Sequence, residues 1–378
     1  MAKLDRIVSY EDYRRAARAR LPRILFDYID GGSYDEVTLA RNTAAFRAAE
    51  LVQRVMADVS HIDSAITLFG ETLSMPLVLA PVGFAGMYAR RGEVQAARAA
   101  ARAGIPFCLS TVGICSIGEV ARGAGTPPWF QLYMIRDRAW CAEMLARARE
   151  AGCRVLVLTA DLQAPGARYR DVRSGMMRTL GPAEHLARLG EGVRKAGWSL
   201  DVFARGRPHS FGNLDGVLPR GTSFPEAWRF IAENFDPSLN WDDLAFVREH
   251  WKGPIVLKGV MTREDARLAV EHGLDAIVVS NHGGRQLDGA PATLSVLPGI
   301  AEAVDGRLDV LVDGGVRSGL DMLKAVRHGA RACLVGRPWA FALAAAGEAG
   351  VAKMLETWRA ELKTAQVLSA ATRLQPGG

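Results

Sequence analysis

The chain has 378 residues, 49% of them hydrophobic and 23% charged, with a formal net charge of +6 and a pI of about 9.2. A chain of this length can bury a large core, so its stability does not require metal ions or disulfides. Residues 1–23 are densely charged and no apolar run approaches the length of a membrane span, so neither a secretory signal nor a transmembrane helix is predicted. The basic residues are scattered without aromatic neighbours or zinc-ligand spacing, which argues against nucleic-acid binding.

Residues 1–70 are predicted to form a helical N-terminal extension with a turn at 30–33. After it, eight short apolar runs of strand length recur, each followed by a segment of helical character. The predicted strands are 76–80, 105–109, 129–133, 155–159, 255–258, 276–280, 310–313 and 332–335. The segments between them, such as 91–103, 139–151 and 263–272, carry alanines and charges at helical spacing. Several of them end in Ala-Gly or His-Gly, which is a common helix stop.

Eight strands that alternate with helices predict an α/β fold, a parallel (β/α)₈ TIM barrel. The competing architecture is an open doubly wound sheet. It is disfavoured because no G-x-G-x-x-G motif follows the first strand and no acidic residue stands where a ribose partner belongs. We expect residues 1–378 to form one domain, with a long loop insertion at about 172–240 after the fourth strand. A loop of that length is usually a lid or an interaction surface.

Polar side chains follow nearly every predicted strand, and the carboxyl ends of barrel strands are where active sites form. The most informative segment is Ser-Asn-His-Gly-Gly-Arg-Gln-Leu-Asp at 280–288, after the sixth strand. His282 titrates near neutral pH and can accept a proton from a substrate. Arg285 can hold a carboxylate with two parallel hydrogen bonds. A base beside an anion-binding arginine suits the oxidation of a small 2-hydroxy acid.

The loops after the seventh and eighth strands predict a phosphate site, because TIM barrels commonly bind phosphate there. These loops contain Asp313-Gly314-Gly315-Val316-Arg317 and Gly336-Arg337. Their glycines expose backbone N–H groups, and their arginines supply positive charge for a monophosphate.

Lys258 ends a buried strand, where an ammonium group is costly unless it has an anionic partner. The N1–C2=O edge of a reduced flavin provides such a partner, and a Schiff base is the alternative role for this lysine. Ser110, Gln131 and Thr159 suit the remaining polar edge atoms of a flavin ring. Because no second phosphate or adenine site is recognisable, the sequence favours FMN over FAD.

Together these motifs resemble the FMN-dependent L-2-hydroxy-acid oxidase and dehydrogenase family. The similarity runs from about Tyr10 to Ser369 through the segments 26–28, 80–83, 130–133, 258–259, 282–288, 313–315 and 336–337. Within that family, the segments 87–93, 165–171 and 206–209 are most similar to the bacterial quinone-linked L-lactate dehydrogenases. The resemblance implies an oxidoreductase that converts an L-2-hydroxy acid, L-lactate foremost, to the 2-oxo acid and passes electrons to a quinone-type acceptor. It also implies a homotetramer.

By position, the resemblance implies that His282 is the proton acceptor and that Asp161 orients it. It implies four substrate-binding residues, namely Tyr28, Tyr133, Arg168 and Arg285. The residues that it implies for FMN binding are Pro81, Val82, Gly83, Ser110, Gln131, Thr159, Lys258, Asp313, Gly314, Gly315, Arg317, Gly336 and Arg337.

Several alternatives stay open at this point. An oxidase of the same family would return electrons to O₂ and produce H₂O₂, and a mandelate-type dehydrogenase would act on a bulkier hydroxy acid. An FMN-dependent isomerase on the same barrel would not need two arginines for a carboxylate. A flavin-binding sensor would have no use for an oriented His–Asp pair.

The five cysteines are odd in number and form no C-x-x-C pair, so we interpret them as reduced thiols of a cytoplasmic protein. No metal site is expected. The basic net charge also fits peripheral contact with the anionic inner face of the cell membrane, which the sequence leaves open.

Overall fold

A computed structural model describes residues 4–176, 181–214, 222, 226, 229–230 and 233–377. Two short strands, β1 (Ile66–Leu68) and β2 (Glu71–Leu73), form an antiparallel hairpin. The eight strands that follow are β3 (Leu77–Leu79), β4 (Cys108–Ser110), β5 (Trp129–Tyr133), β6 (Leu156–Thr159), β7 (Ile255–Val260), β8 (Ala276–Val279), β9 (Asp309–Val312) and β10 (Ala332–Val335).

The eight strands β3 to β10 form one parallel sheet in the order β3-β10-β9-β8-β7-β6-β5-β4. A parallel bridge between Leu79 of β3 and Phe107, directly before β4, brings the two edge strands together. The sheet therefore closes into a barrel with helices around it, and the predicted TIM barrel is confirmed. The predicted strand at 105–109 starts later than expected, at Cys108. Pro106 explains part of this difference, because proline has no N–H group to donate to a sheet.

A helix follows each strand of the barrel, as the alternating pattern predicts, and further helices lie in the N-terminal extension and in the insertion. They are α1 (Tyr10–Arg20), α2 (Arg23–Asp30), α3 (Val37–Ala48), α4 (Gly92–Ala103), α5 (Ile117–Ala124), α6 (Arg138–Glu150), α7 (Tyr169–Arg173), α8 (Pro182–Arg194), α9 (Ala196–Trp198), α10 (Asp243–His250), α11 (Arg263–Glu271), α12 (Thr293–Val304), α13 (Gly319–Arg327) and α14 (Arg337–Leu368). Short 3₁₀ turns occur at Leu4–Arg6 and Ala85–Met87. Helix α14 is interrupted at Ala346 and Gly347, whose backbone angles are not helical.

The N-terminal helices pack on the last helix and reach the carboxyl ends of the strands. Helix α1 starts at a capping box in which Ser9 accepts a hydrogen bond from the Asp12 N–H. The rings of Tyr10 and Phe26 contact Phe341 of α14 at centroid distances of 5.7 and 5.8 Å. As a result, the end of α2 and Gly31 lie against the loops that follow β8 and β10.

The first part of the region predicted as a loop insertion is helical in the described residues. Helix α8 is followed by α9 and a π-helical turn at Ser199–Ala204. The apolar side chains of Leu186, Leu189 and Val193 on α8 are 71%, 70% and 78% exposed. Among the helices that the structure describes, none has both the length and the apolar character that crossing a bilayer requires.

Candidate active site

His282 and Asp161 form a hydrogen-bonded pair at the carboxyl ends of β8 and β6. The His282 Nδ1 atom lies 2.9 Å from Asp161 Oδ1. The backbone N–H of His282 donates to Ser280 Oγ at 3.1 Å, and His282 has a left-handed backbone with φ of 57°. This turn directs the imidazole toward Asp161, which follows β6, the second strand along the sheet from β8.

Burial lowers the pKa of His282 below its ordinary value, and the nearby Asp161 carboxylate opposes that shift. Burial acts to raise the pKa of Asp161, but His282 and Lys258 outweigh it and hold that pKa below its usual range. At neutral pH the imidazole is therefore neutral and the carboxylate is ionised. The pair can accept one proton on the imidazole, and the carboxylate then stabilises the imidazolium.

Two arginines, Arg168 and Arg285, lie together beside this pair. Arg168 is 7% exposed, and its Nε lies 3.4 Å from the carbonyl oxygen of Arg285. Burial lowers the pKa of Arg168, and the positive charge of Arg285 lowers it further. The carboxylate of Asp171 is 3.9 Å from Arg168 Nη1. Two guanidinium groups with one carboxylate leave an excess positive charge, which favours an anionic ligand.

Arg285 is held in place by the N-terminal extension. Its Nη1 donates to the carbonyl oxygens of Tyr28 and Gly31 at 2.5 and 2.8 Å. Its guanidinium carbon lies 4.7 Å from the centroid of the Tyr28 ring, a distance typical of cation–π contacts. The N-terminal helices therefore contribute directly to the geometry of the site.

One cavity brings most of the predicted site residues together. The predicted residues that line it are Tyr28, Pro81, Val82, Gly83, Tyr133, Arg168, Lys258, His282, Arg285, Asp313, Gly314, Gly315, Arg317, Gly336 and Arg337. Four predicted residues are not among those that line it, namely Ser110, Gln131, Thr159 and Asp161. The cavity lies at the carboxyl end of the barrel, as the fold leads one to expect.

Lys258 has an anionic partner within the chain. Its Nζ lies 3.2 Å from Asp313 Oδ2 and donates to Ser280 Oγ at 2.9 Å. Burial acts to lower the pKa of Lys258, but Asp313 and Asp161 outweigh it and raise that pKa. Lys258 is therefore a fixed positive charge at neutral pH, which argues against a Schiff-base role because that role needs a neutral amine.

At the other end of the cavity, Gly314 and Gly315 have positive φ angles of 80° and 110°. A Cβ atom at Gly315 would lie 2.5 Å from the Asn42 carbonyl oxygen, so only glycine fits there. The Nε of Arg317 is buried and has no hydrogen-bond partner within the described part of the chain. Its guanidinium carbon lies 4.5 Å from the Tyr10 ring centroid.

Arg337 connects three loops around the same end of the cavity. It donates hydrogen bonds to the carbonyl oxygens of Ile29, Gly283 and Gly31 at 2.9, 2.9 and 2.8 Å. Burial lowers its pKa to about 9, and the charges of Arg285 and Arg317 contribute to that shift. Nη1 and Nη2 each carry a second N–H, so two donors remain for an anion. An anion bound here would relieve the repulsion among the three arginines.

Comparison with known proteins identifies the family. A family model described as FMN-dependent dehydrogenase matches residues 17–376. The chain belongs to the FMN-dependent dehydrogenase family. It is 52% identical over 368 residues to an L-lactate dehydrogenase of Caulobacter sp. (strain K31), covering 97% of this chain and 96% of the relative. It is also 52% identical over 360 residues to an L-lactate dehydrogenase of Chromohalobacter salexigens, covering 95% and 91%.

Solved structures of related enzymes share the fold of this dehydrogenase. A crystal structure of the monotopic membrane protein (S)-mandelate dehydrogenase is 33% identical, with a TM-score of 0.90 and 98% of each chain covered. A crystal structure of mandelate oxidase is 38% identical, with a TM-score of 0.81 and 97% of each chain covered. The family predicted from the sequence motifs is confirmed, and with it FMN as the cofactor and oxidoreductase as the class of enzyme.

The residues present in the dehydrogenase fit FMN. Gln131 Oε1 accepts from Ser110 Oγ at 3.2 Å and from the Thr111 N–H at 3.3 Å, which fixes the orientation of its amide. Its buried Nε2 then has no partner within the described residues, and a flavin carbonyl oxygen is the acceptor that such a donor lacks. Together with Lys258 and the buried Arg317 Nε, it supplies donors of the kind that the carbonyl and phosphate oxygens of FMN accept.

Sequence reasoning missed several residues of the cavity wall. Leu162 and Pro165 line it from the loop after Asp161, and their closeness to Asp161 in the sequence is the signal that could have indicated them. Phe235 also lines it and forms an antiparallel bridge with Ile135. Ile135 and Phe235 are far apart in the sequence, so no local sequence pattern could indicate that they are in contact.

Proposed function

We propose that this dehydrogenase oxidises L-lactate to pyruvate. The observation that carries the proposal is one cavity in which Arg168 and Arg285 lie beside the His282–Asp161 pair. The arginines suit the carboxylate of a 2-hydroxy acid, and the imidazole suits the proton that its oxidation releases. The name L-lactate dehydrogenase of relatives that are 52% identical supports the same substrate.

The remaining cavity wall supports a substrate with an apolar side chain. Val112, Leu162 and Phe235 contribute apolar surface, which suits the methyl group of lactate. A Cβ atom at Gly83 would lie 2.9 Å from Val112 Cγ2 and 3.2 Å from the Tyr28 hydroxyl, so little space is left there. Mandelate is the second candidate, because the titles of two structural neighbours name them (S)-mandelate dehydrogenase and mandelate oxidase.

In the proposed reaction, Arg168 and Arg285 bind the substrate carboxylate, and Tyr28 and Tyr133 assist with their hydroxyl groups. Burial raises the pKa of Tyr133, so its hydroxyl stays protonated and can donate a hydrogen bond. The excess positive charge of the arginine pair makes binding of the carboxylate favourable in this buried place. These contacts fix which face of the α-carbon meets the cofactor.

His282 accepts the proton in its neutral form. That proton comes from the hydroxyl group if the α-hydrogen leaves as hydride, and from the α-carbon if a carbanion forms. In both cases Asp161 stabilises the imidazolium that results. FMN, when bound, takes up the two electrons that the substrate gives up.

We propose the following holders for FMN in this chain. Pro81, Val82, Gly83, Ser110, Gln131, Thr159 and Lys258 would contact the ring. Gly314, Gly315, Arg317, Gly336 and Arg337 would hold the phosphate, and Asp313, whose carboxylate pairs with Lys258, begins the first of these two phosphate segments. The unpartnered Gln131 Nε2 and Arg317 Nε support this assignment at the two ends. The positive charge of Lys258 would stabilise negative charge on the reduced ring.

We propose a quinone-type electron acceptor and a peripheral position on the inner face of the cell membrane. The dehydrogenase names of the curated relatives support an acceptor other than O₂. The exposed Leu186, Leu189 and Val193 of α8 offer an apolar surface for the lipid boundary, and one structural neighbour is a monotopic membrane protein by its title. We further propose a homotetramer in which residues 1–378 act as one domain, with the N-terminal extension and the insertion as its parts.

An anaerobic titration tests the substrate. The purified yellow protein is mixed with L-lactate, L-mandelate, glycolate and D-lactate, and the flavin absorbance is followed. Rapid bleaching by L-lactate supports the proposal, and faster bleaching by L-mandelate would replace lactate with the second candidate. Measurement of H₂O₂ against reduction of a quinone dye then distinguishes an oxidase from a quinone-linked dehydrogenase.

A further inference from the structure

The side-chain amide of Gln286 connects the two loops that carry the proposed reaction centre. His282 and Arg285 lie on the same loop as Gln286, after β8. Asp161 and Arg168 lie on the loop between β6 and α7, and residues 161–168 contain no regular secondary structure. That loop therefore depends on side-chain contacts for its position.

Gln286 makes contacts along the whole 161–168 loop. Its Nε2 donates to the carbonyl oxygens of Asp161 and Ala164 at 2.8 and 2.9 Å. Its Oε1 accepts from the Gly166 N–H at 3.2 Å and lies 3.5 Å from Arg168 Nη2. Both N–H groups and the oxygen of the Gln286 amide therefore bond to this loop. Their partners run from Asp161 at its start to Arg168 at its end.

Gly166 gives independent evidence that the two loops are fitted to each other. A Cβ atom at Gly166 would lie 2.4 Å from the Arg285 carbonyl oxygen and 2.9 Å from both Cα and the carbonyl oxygen of Gln286. Only a residue without a side chain allows this approach. The Gln286 amide therefore bonds to a loop whose backbone is already in direct contact with its own loop.

We propose that Gln286 is a positioning residue that holds Asp161 against His282 and Arg168 beside Arg285. This inference rests on the proposed function of those four residues and adds a residue to which the reaction chemistry assigns no role. Gln286 acts on proton transfer through Asp161 and on substrate binding through Arg168.

Loss of the amide has two kinetic consequences that a merely structural role does not share. Displacement of Arg168 weakens binding of the substrate carboxylate and raises KM. Displacement of Asp161 lowers the pKa of His282, because Asp161 raises that pKa against burial and against the charges of Lys258 and Arg168. The acidic limb of the kcat/KM profile then moves to lower pH while kcat falls.

The test compares Gln286→Met with Leu287→Ala, a change at the adjacent residue, whose side chain is 73% exposed. For each FMN-loaded protein, KM and kcat are measured across the pH range with the L-2-hydroxy acid that reduces the wild-type flavin. The Kd of the 2-oxo-acid product is measured without turnover, from the change in flavin absorbance.

For Gln286→Met we expect KM and Kd to rise about tenfold, as loss of hydrogen bonds to the loop predicts. We also expect the acidic limb to move to lower pH, with FMN content and Tm close to wild type. Leu287→Ala should behave as wild type. If Gln286→Met does not fold, Gln286→Asn, whose side chain is one methylene shorter, is held to the same criteria.

A folded, FMN-loaded variant with wild-type KM, Kd and acidic limb would overturn the inference. Lower stability or FMN content without a shift of the acidic limb would also overturn it, because that result indicates a structural role only. Failure of every L-2-hydroxy acid to reduce the wild-type flavin would instead overturn the proposed function, so the two failures are distinguishable.

Discussion

Replacing Asp161 with asparagine tests the proposed division of work between the base and its partner. The substitution keeps the size of the side chain and removes the negative charge 2.9 Å from His282 Nδ1. It therefore removes the group that stabilises the imidazolium formed when His282 accepts a proton. Neutral His282 remains able to act as the base, so the variant should be slow and not inactive.

The size of the effect follows from the contact that is lost. A hydrogen bond to a charged group contributes about 1.5–3 kcal/mol, which corresponds to a decrease of about 10- to 150-fold in the rate of substrate oxidation. Asp161 also raises the pKa of His282 against the effect of burial. Without it, the pKa of His282 falls further, and the acidic limb of kcat/KM moves to lower pH.

Anaerobic stopped-flow measurement of flavin reduction by L-lactate checks both effects, since it isolates the oxidation step from electron transfer to the acceptor. A matched control is Glu302→Gln, which neutralises a 73% exposed carboxylate paired with Arg263 at 3.0 Å. Exposed pairs contribute little, so this control should reduce its flavin at the wild-type rate. Reduction at that same rate by a folded Asp161→Asn variant would show that the carboxylate does not assist proton transfer.

Three further substitutions test other parts of the proposal. His282→Ala should slow flavin reduction about 10²–10⁴-fold while FMN content stays unchanged, and an undiminished rate would mean that another group is the base. Arg168→Met should raise KM for L-lactate about tenfold or more, whereas the exposed Arg173→Met should not change KM, and equal KM values would remove Arg168 from the substrate site. Leu189→Glu should reduce the amount of protein that sediments with anionic lipid vesicles. The control is Leu368→Glu at the far end of α14, and equal sedimentation of the two variants would exclude α8 as the membrane contact.

The barrel could be predicted from the sequence because its strands are buried on both faces. Segments such as Leu156–Thr159 and Ala276–Val279 are fully buried, so they read as continuous apolar runs between helical segments. The position of the cavity follows from the same topology, because parallel strands place their carboxyl ends at one end of the barrel. This explains why His282, Arg285 and Lys258 could be assigned to one site from their positions near the carboxyl ends of strands.

Contacts between distant segments could not be predicted in the same way. The sequence gives no sign that Arg337 donates to the Ile29 carbonyl oxygen, or that Lys258 has Asp313 as its partner. Both contacts depend on side-chain direction and on how the N-terminal helices pack against the strand ends. The helical content of the insertion was also not predicted, although Leu186, Leu189 and Val193 recur at helical spacing in the sequence of α8.

The left-handed backbone of His282 has a cost for the folded state. A residue with a Cβ atom loses about 1–2 kcal/mol in this conformation. Because burial lowers the pKa of His282, the imidazole adds a further loss as the pH falls below its ordinary pKa of 6.5, where the unfolded chain binds the proton more readily. Glycine would adopt the same turn without strain, as Gly283 and Gly284 do beside it with φ of 63° and 73°. Stability and the proposed proton transfer therefore favour different residues at position 282.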